Sequence, residues 1–200
     1  MKKNYFLLLL VTVALHLLSC TTYEETVSDN PFDTISANTN NARDKIVVIS
    51  DLHLGNDLAY SENVKHLKRL EEFLKEVRSS AKVKELVIGG DMFDEWYVPT
   101  RVDTYGGGTQ ADFVRKTVAA NQHIFDVLNG IIKDEKVRLT YIPGNHDEML
   151  RRWLPHLTLP GCGISGIQLR AEAVHVTADG KRLLVIHGDG DQNVPFQASG

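Results

Sequence analysis

From Lys45 onward the apolar residues fall into two rhythms. "KIVVIS", residues 45 to 50, is a short β-branched run without polar alternation, as expected of a strand covered on both faces. Val64, Leu67, Leu70, Phe73, Leu74 and Val77 then recur at helical spacing on one face, with Ser61 placed to cap that helix. "ELVIG", residues 85 to 89, predicts a second buried strand. Residues 97 to 109 hold Pro99 and three consecutive glycines, which predicts a loop or insertion. A second helix is expected over about residues 111 to 133, burying Val114, Val118, Phe125, Leu128 and Ile132. "VRLTYIP" supplies a third strand, and "AVHVT" and "RLLVIH" read as a hairpin around Asp179-Gly180. Strands alternating with helices predict a layered α/β domain with central β-sheet flanked by helices. The pattern contains no repeats and no second domain.

Before Lys45 the pattern is different. Lys2 and Lys3 precede an apolar run from Tyr5 to Leu18, too short to span a bilayer comfortably. A basic start and an apolar centre read as a signal peptide over residues 1–19. The run ends "LLSC", which resembles the bacterial lipoprotein processing box. By that resemblance Cys20 becomes the lipidated first residue of an exported, membrane-anchored protein. An ordinary secreted protein with a stray cysteine is the plainer alternative. Residues 20–44 are rich in Thr, Ser, Asn and Asp and predict a flexible tether, leaving 45–200 as the folded domain. With Cys20 committed, Cys162 stands alone, so no internal disulfide framework is expected. The formal charge is −4, and losing residues 1–19 removes two lysines and no acids, moving it to −6. No nucleic-acid-binding surface is suggested by that balance.

The candidate chemistry lies where the strands end. The first strand ends in "SDLHLG", with Asp51 and His53; the second in "GGDMFDEW", with Asp91. The third ends in "PGNHD", with Asn145, His146 and Asp147; the last in "IHGDGD", with His187. In open α/β sheets the carboxyl ends of the strands meet along one edge, where ligands bind. Carboxylates, imidazoles and an amide oxygen suit first-row metals such as Mn, Fe, Zn or Co. Two metals about 3.5–4 Å apart can activate a shared water and clamp a phosphoryl group.

Asp-x-His, Gly-Asp, Gly-Asn-His-Asp and His-Gly, in that order, resemble the motifs of the calcineurin-like metallophosphoesterases over Lys45 to about Gln192. The resemblance implies a metallophosphoesterase fold and a binuclear centre of two divalent or trivalent ions. Asp51 and His53 would bind the first metal, Asp91 would bridge both, and Asn145 and His187 would bind the second. His146 would contact the substrate phosphate and help the leaving oxygen depart, with Asp147 orienting its imidazole. The nucleophile would be the metal-bridging hydroxide. "FDEW" with Trp96 is similar to the subgroup that cleaves pyrophosphates of acylated nucleotide sugars, UDP-2,3-diacylglucosamine among them; Trp96 covering the sheet edge is the even alternative. Arg151 and Arg152 could reach a phosphate, though such a pair more often forms a solvated helix face.

The family adds a Gly-His-x-His motif after His187, which residues 188–200 do not contain. The expectation is therefore a fragment of a longer protein; the alternative is a truncated or decayed copy with weak metal binding. Two functional readings follow. One is an exported, lipid-anchored hydrolase of a phosphomonoester, phosphodiester or pyrophosphate bond, acting on a phosphorylated small molecule or lipid-linked substrate. The other is a non-catalytic lipoprotein that binds a phosphorylated ligand.

Overall fold

The structure is a computed structural model that describes residues 29–34, 42–61, 63–95, 103, 105–147, 168–170, 172–177 and 180–188. The predicted signal peptide, Cys20, Trp96, Arg151, Arg152 and Cys162 lie outside these residues. β1 (Lys45–Ile49), β2 (Val83–Ile88), β3 (Arg138–Tyr141) and the short β4 (Gln168–Leu169) form one parallel sheet in that order. Pairing sets Ile49 beside Ile88 and Ile88 beside Tyr141, so three strands end level with one another. β5 (Ala173–Val176) and β6 (Arg182–Val185) form the antiparallel hairpin. Gly180 in its turn has φ +82°, a conformation that glycine adopts without strain.

The period of two along the strands sorts side chains into two layers. Val47, Ile49, Leu86, Ile88, Leu139 and Tyr141 face the main core, which they share with the helices. Ile46, Val87 and Ile142 face the other way and pack with Ala173 and Val185 of the hairpin. β2 is buried on both faces except at Lys84, which fits the apolar run Leu86–Ile88 at its end; the buried Glu85 carboxylate accepts from the Thr140 hydroxyl. The molecule is thus a mixed α/β domain with a parallel central sheet flanked by helices.

The helices depart from the sequence pattern in informative places. A four-residue turn of helix, α1 (Pro31–Thr34), lies inside the stretch read as a tether. Phe32 meets Phe73 edge-on, and the Asp33 carboxylate accepts from the Ser80 hydroxyl at 2.6 Å, so this part is docked on the domain. α2 spans Leu67–Ser79, preceded by a 3-10 turn over Val64–His66. Ser61 does not cap it; its hydroxyl donates to the Asp57 carbonyl instead. The single helix expected over 111 to 133 is two, α3 (Gln110–Ala120) and α4 (Gln122–Lys133). The break is Asn121, a buried amide whose Nδ2 donates to the Thr117 and Gly55 carbonyls. That second bond ties the helix break to the loop after β1. α3 begins at a capping box in which Thr109 and Asp112 satisfy each other's backbone N–H groups. Among the described residues no helix is long and apolar enough to cross a membrane.

Candidate metal centre

Beyond their last paired residues, β1 and β2 run on side by side as loops. Asp51 N donates to Gly90 O, His53 N to Asp91 O and Leu54 N to Met92 O, each within 3.0 Å. The Glu95 N–H reaches His146 O at 2.9 Å and joins the loop after β3 to the same bundle. Backbone bonding therefore carries Asp51, His53, Asp91 and His146 to one edge, as the strand-end argument requires.

The loops are strained where the chemistry sits. Only four non-glycine residues among those described have positive φ, and three are Asp51 (56°), His53 (45°) and Asp91 (52°). Such backbone costs about 1–3 kcal/mol per residue and persists where surrounding structure over-determines it. Here the inter-loop hydrogen bonds supply that constraint, and the strain turns alternate side chains toward one point.

Asp91 lies at the centre, its side chain almost wholly buried. His187 Nε2 is 3.1 Å from Asp91 Oδ2 and 3.1 Å from Asn145 Oδ1. His53 Nε2 is 3.9 Å from both Asp91 Oδ2 and Asp51 Oδ1. Oxygen and imidazole donors thus flank Asp91 on two sides, one pair from each predicted metal position. Two glycines make room for this. A Cβ at Gly144 would stand 2.1 Å from Asp91 Oδ1 and 2.7 Å from His187 Nε2. A Cβ at Gly90, where φ is +113°, would stand 1.9 Å from His187 Nδ1.

The donors fit a cation. His187 Nδ1 donates to the Gly89 carbonyl at 3.0 Å, which holds the ring with Nε2 toward the Asp91 carboxylate and the Asn145 amide oxygen. An imidazole nitrogen, a carboxylate oxygen and an amide oxygen therefore converge, ligand types that suit a first-row metal. His53 and Asp94 repeat the theme: buried His53 Nδ1 has no hydrogen-bond partner, with Asp94 Oδ2 3.6 Å away. Two overlapping donor sets capable of holding a metal are present, Asp51–His53–Asp91 and His53–Asp94–His146.

His146 is oriented by a different carboxylate from the expected one. Its Nδ1 is 2.9 Å from Asp94 Oδ1, and Asp94 is buried. Its backbone N–H donates to Asp91 Oδ1 at 2.9 Å, and its ring stands edge-on to His53. Asp147 points away from the imidazole. Its carboxylate accepts from the N–H groups of Met92 (2.8 Å), Phe93 (3.3 Å) and Gly144 (2.5 Å), and from the Tyr141 hydroxyl. Burial pushes its pKa up to about 7 against the lowering pull of those backbone N–H groups. The correction is physical: an i+1 side chain on this turn projects to the opposite side from His146. The spacing Asp91-x-x-Asp94 is the signal from which the true partner could have been read.

A cavity of about 410 Å³ opens beside Asp51, lined equally by apolar and polar residues, with Leu67, Leu70 and Phe73 among the former and His66 and Arg69 among the latter.

A model of the calcineurin-like phosphoesterases matches residues 44–197. The chain belongs to that family, whose members are phosphate-ester hydrolases that typically use divalent metals. No curated protein matches the chain.

Proposed function

We propose that this protein is an exported, lipid-anchored, binuclear metal-dependent phosphoesterase. The observation that carries the reading is the convergence of Asp91 Oδ2, Asn145 Oδ1 and His187 Nε2, with His53 and Asp51 on the other side of the same carboxylate. Two ions, Mn, Fe, Zn or Co, would be held with Asp51 and His53 on one, Asn145 and His187 on the other, and Asp91 shared. Bound there, they would supply charge neutralisation for phosphoryl oxygens and an activated water as nucleophile.

The chain's own groups divide the remaining work. His146, half-buried at the rim, donates a hydrogen bond to the phosphate and a proton to the departing oxygen. Asp94 accepts from Nδ1–H and orients the ring, so that Nε2, which must also carry a proton in order to donate it, faces the substrate. The cavity beside Asp51 gives the organic part of the ester a place to lie. Trp96, Arg151 and Arg152 are proposed substrate contacts on the sequence pattern alone. The acylated nucleotide-sugar pyrophosphate class rests on "FDEW", and the anchor rests on "LLSC" with Cys20. The test is a panel of phosphomonoesters, phosphodiesters and pyrophosphates with Mn(II) added, with His146→Ala as the control. Hydrolysis of at least one class, lost in the variant while metal stays bound, supports the reading. Tight binding of such a compound without turnover would move the non-catalytic alternative into its place.

A further inference from the structure

Tyr141 and Asp147 make a contact that no role assigned above uses. Tyr141 is the last residue of β3 and is fully buried, its ring in the main core and its hydroxyl donating to Asp147 Oδ2. Asp147 is also fully buried. The other donors to its carboxylate come from two loops. Met92 and Phe93 directly follow Asp91, and Gly144 directly precedes Asn145. One carboxylate therefore grips the backbone next to both Asp91 and Asn145, each of which faces His187 Nε2 at 3.1 Å.

We infer that Tyr141 and Asp147 are positioning residues that set the separation of Asp91 from Asn145 and His146. The argument is geometric. The N–H groups of Met92, Phe93 and Gly144 need an acceptor once buried, and an aspartate is short enough to reach all three while staying on the turn. Tyr141 has no such backbone duty. Its hydroxyl holds the carboxylate from the rigid strand side, so the clamp is referenced to the sheet rather than to the loops alone. A movement of the carboxylate shifts Asp91 and Asn145 in concert, and outer groups of this kind tune metal sites by about 10–100-fold in affinity.

The inference rests on the metal-centre reading, and the test separates the two. The full chain and its Tyr141→Phe variant are titrated with Co(II), following the visible absorption of the bound ion and thermal unfolding side by side. The variant is expected to fold with a similar melting temperature, to bind Co(II) about 10–100-fold more weakly and to shift the absorption band. With substrate, kcat falls while KM is little changed. A folded variant with the parent's affinity and spectrum overturns the inference. Asp147→Asn, which keeps the size and removes the charge, carries the test if Tyr141→Phe does not fold. Failure of both to fold also overturns it, because the pair then serves the core rather than the site. A parent chain that takes up no Co(II) sinks the metal-centre reading itself.

Discussion

The imidazole of His146 is held by Asp94, with Nδ1 2.9 Å from Oδ1, and not by the adjacent Asp147. Two carboxylates near one histidine have been given separate work by the fold. Asp94 is reached from the loop after β2 and faces the site; Asp147 turns inward and binds backbone. This predicts different phenotypes. His146→Ala should cut kcat by about 10²–10⁴-fold with metal content unchanged. Asp94→Asn, which removes the negative charge that supports a His146 ring protonated on both nitrogens, should lower kcat with little change in KM. Steady-state kinetics with metal analysis checks both, and an Asp94→Asn enzyme with the parent's kcat removes Asp94 from the account.

Gly144 tests the crowding around Asp91. An added methyl there stands 2.1 Å from Asp91 Oδ1, and neither the backbone nor the buried carboxylate can retreat easily. Gly144→Ala should lose turnover by about 10²-fold, the cost of displacing reacting groups by roughly 1 Å. The circular dichroism spectrum should stay that of the parent. A fully active Gly144→Ala enzyme means that the loops are softer than their hydrogen bonds suggest.

Metal should stabilise the folded chain, because the donors converge only in the folded state. At a free ion concentration 100 times Kd the gain is about 2.7 kcal/mol, readable as a rise in melting temperature. Chelation should reverse it. Asp91→Asn should abolish most of the response, since it removes the shared charge. A melting temperature indifferent to Mn(II), Co(II) and Zn(II) in the parent contradicts the site.

The start of α3 predicts an acid limb. The N–H and then the hydroxyl of Thr109, followed by Arg115, hold the Asp112 carboxyl down at about 2, below its ordinary value of 3.8. A depressed carboxyl pKa contributes stability that is complete above about 4 and is lost as pH falls toward 2. Asp112→Asn should therefore flatten stability against pH across that window. Thr109→Ala, which removes the cap, should cost about 1 kcal/mol at neutral pH. Urea unfolding at pH 5, 4, 3 and 2 measures both.

Much of this was legible in the chain because periodicity reports burial. The β-branched runs at 45–50 and 85–89 became neighbouring parallel strands, and the helical face through Leu67, Leu74 and Val77 became core. Strand ends were legible too, and they carried Asp51, His53, Asp91, Asn145 and His187 to one edge. What was hidden depends on distant partners. Asn121 breaks a helix because it meets Gly55, 66 residues away, and nothing local announces that. Phe32 docks because Phe73 is there to receive it. The partner of His146 was hidden for the same reason: Asp147, its neighbour in sequence, binds backbone and Tyr141, while Asp94, 52 residues away, meets the imidazole. The positive φ values of Asp51, His53 and Asp91 were illegible for another reason: they are imposed by loop-to-loop hydrogen bonds, not by residue preference.

The central claim is that Asp91 lies between two cations. The most direct measurement is the number of metal ions per chain in the purified protein, by elemental analysis after loading with Mn(II) and removal of excess, with Asp91→Asn beside it. The account predicts close to two ions per chain in the parent and a marked loss in the variant. A parent that retains none, or an Asp91→Asn protein that retains as many as the parent, contradicts it.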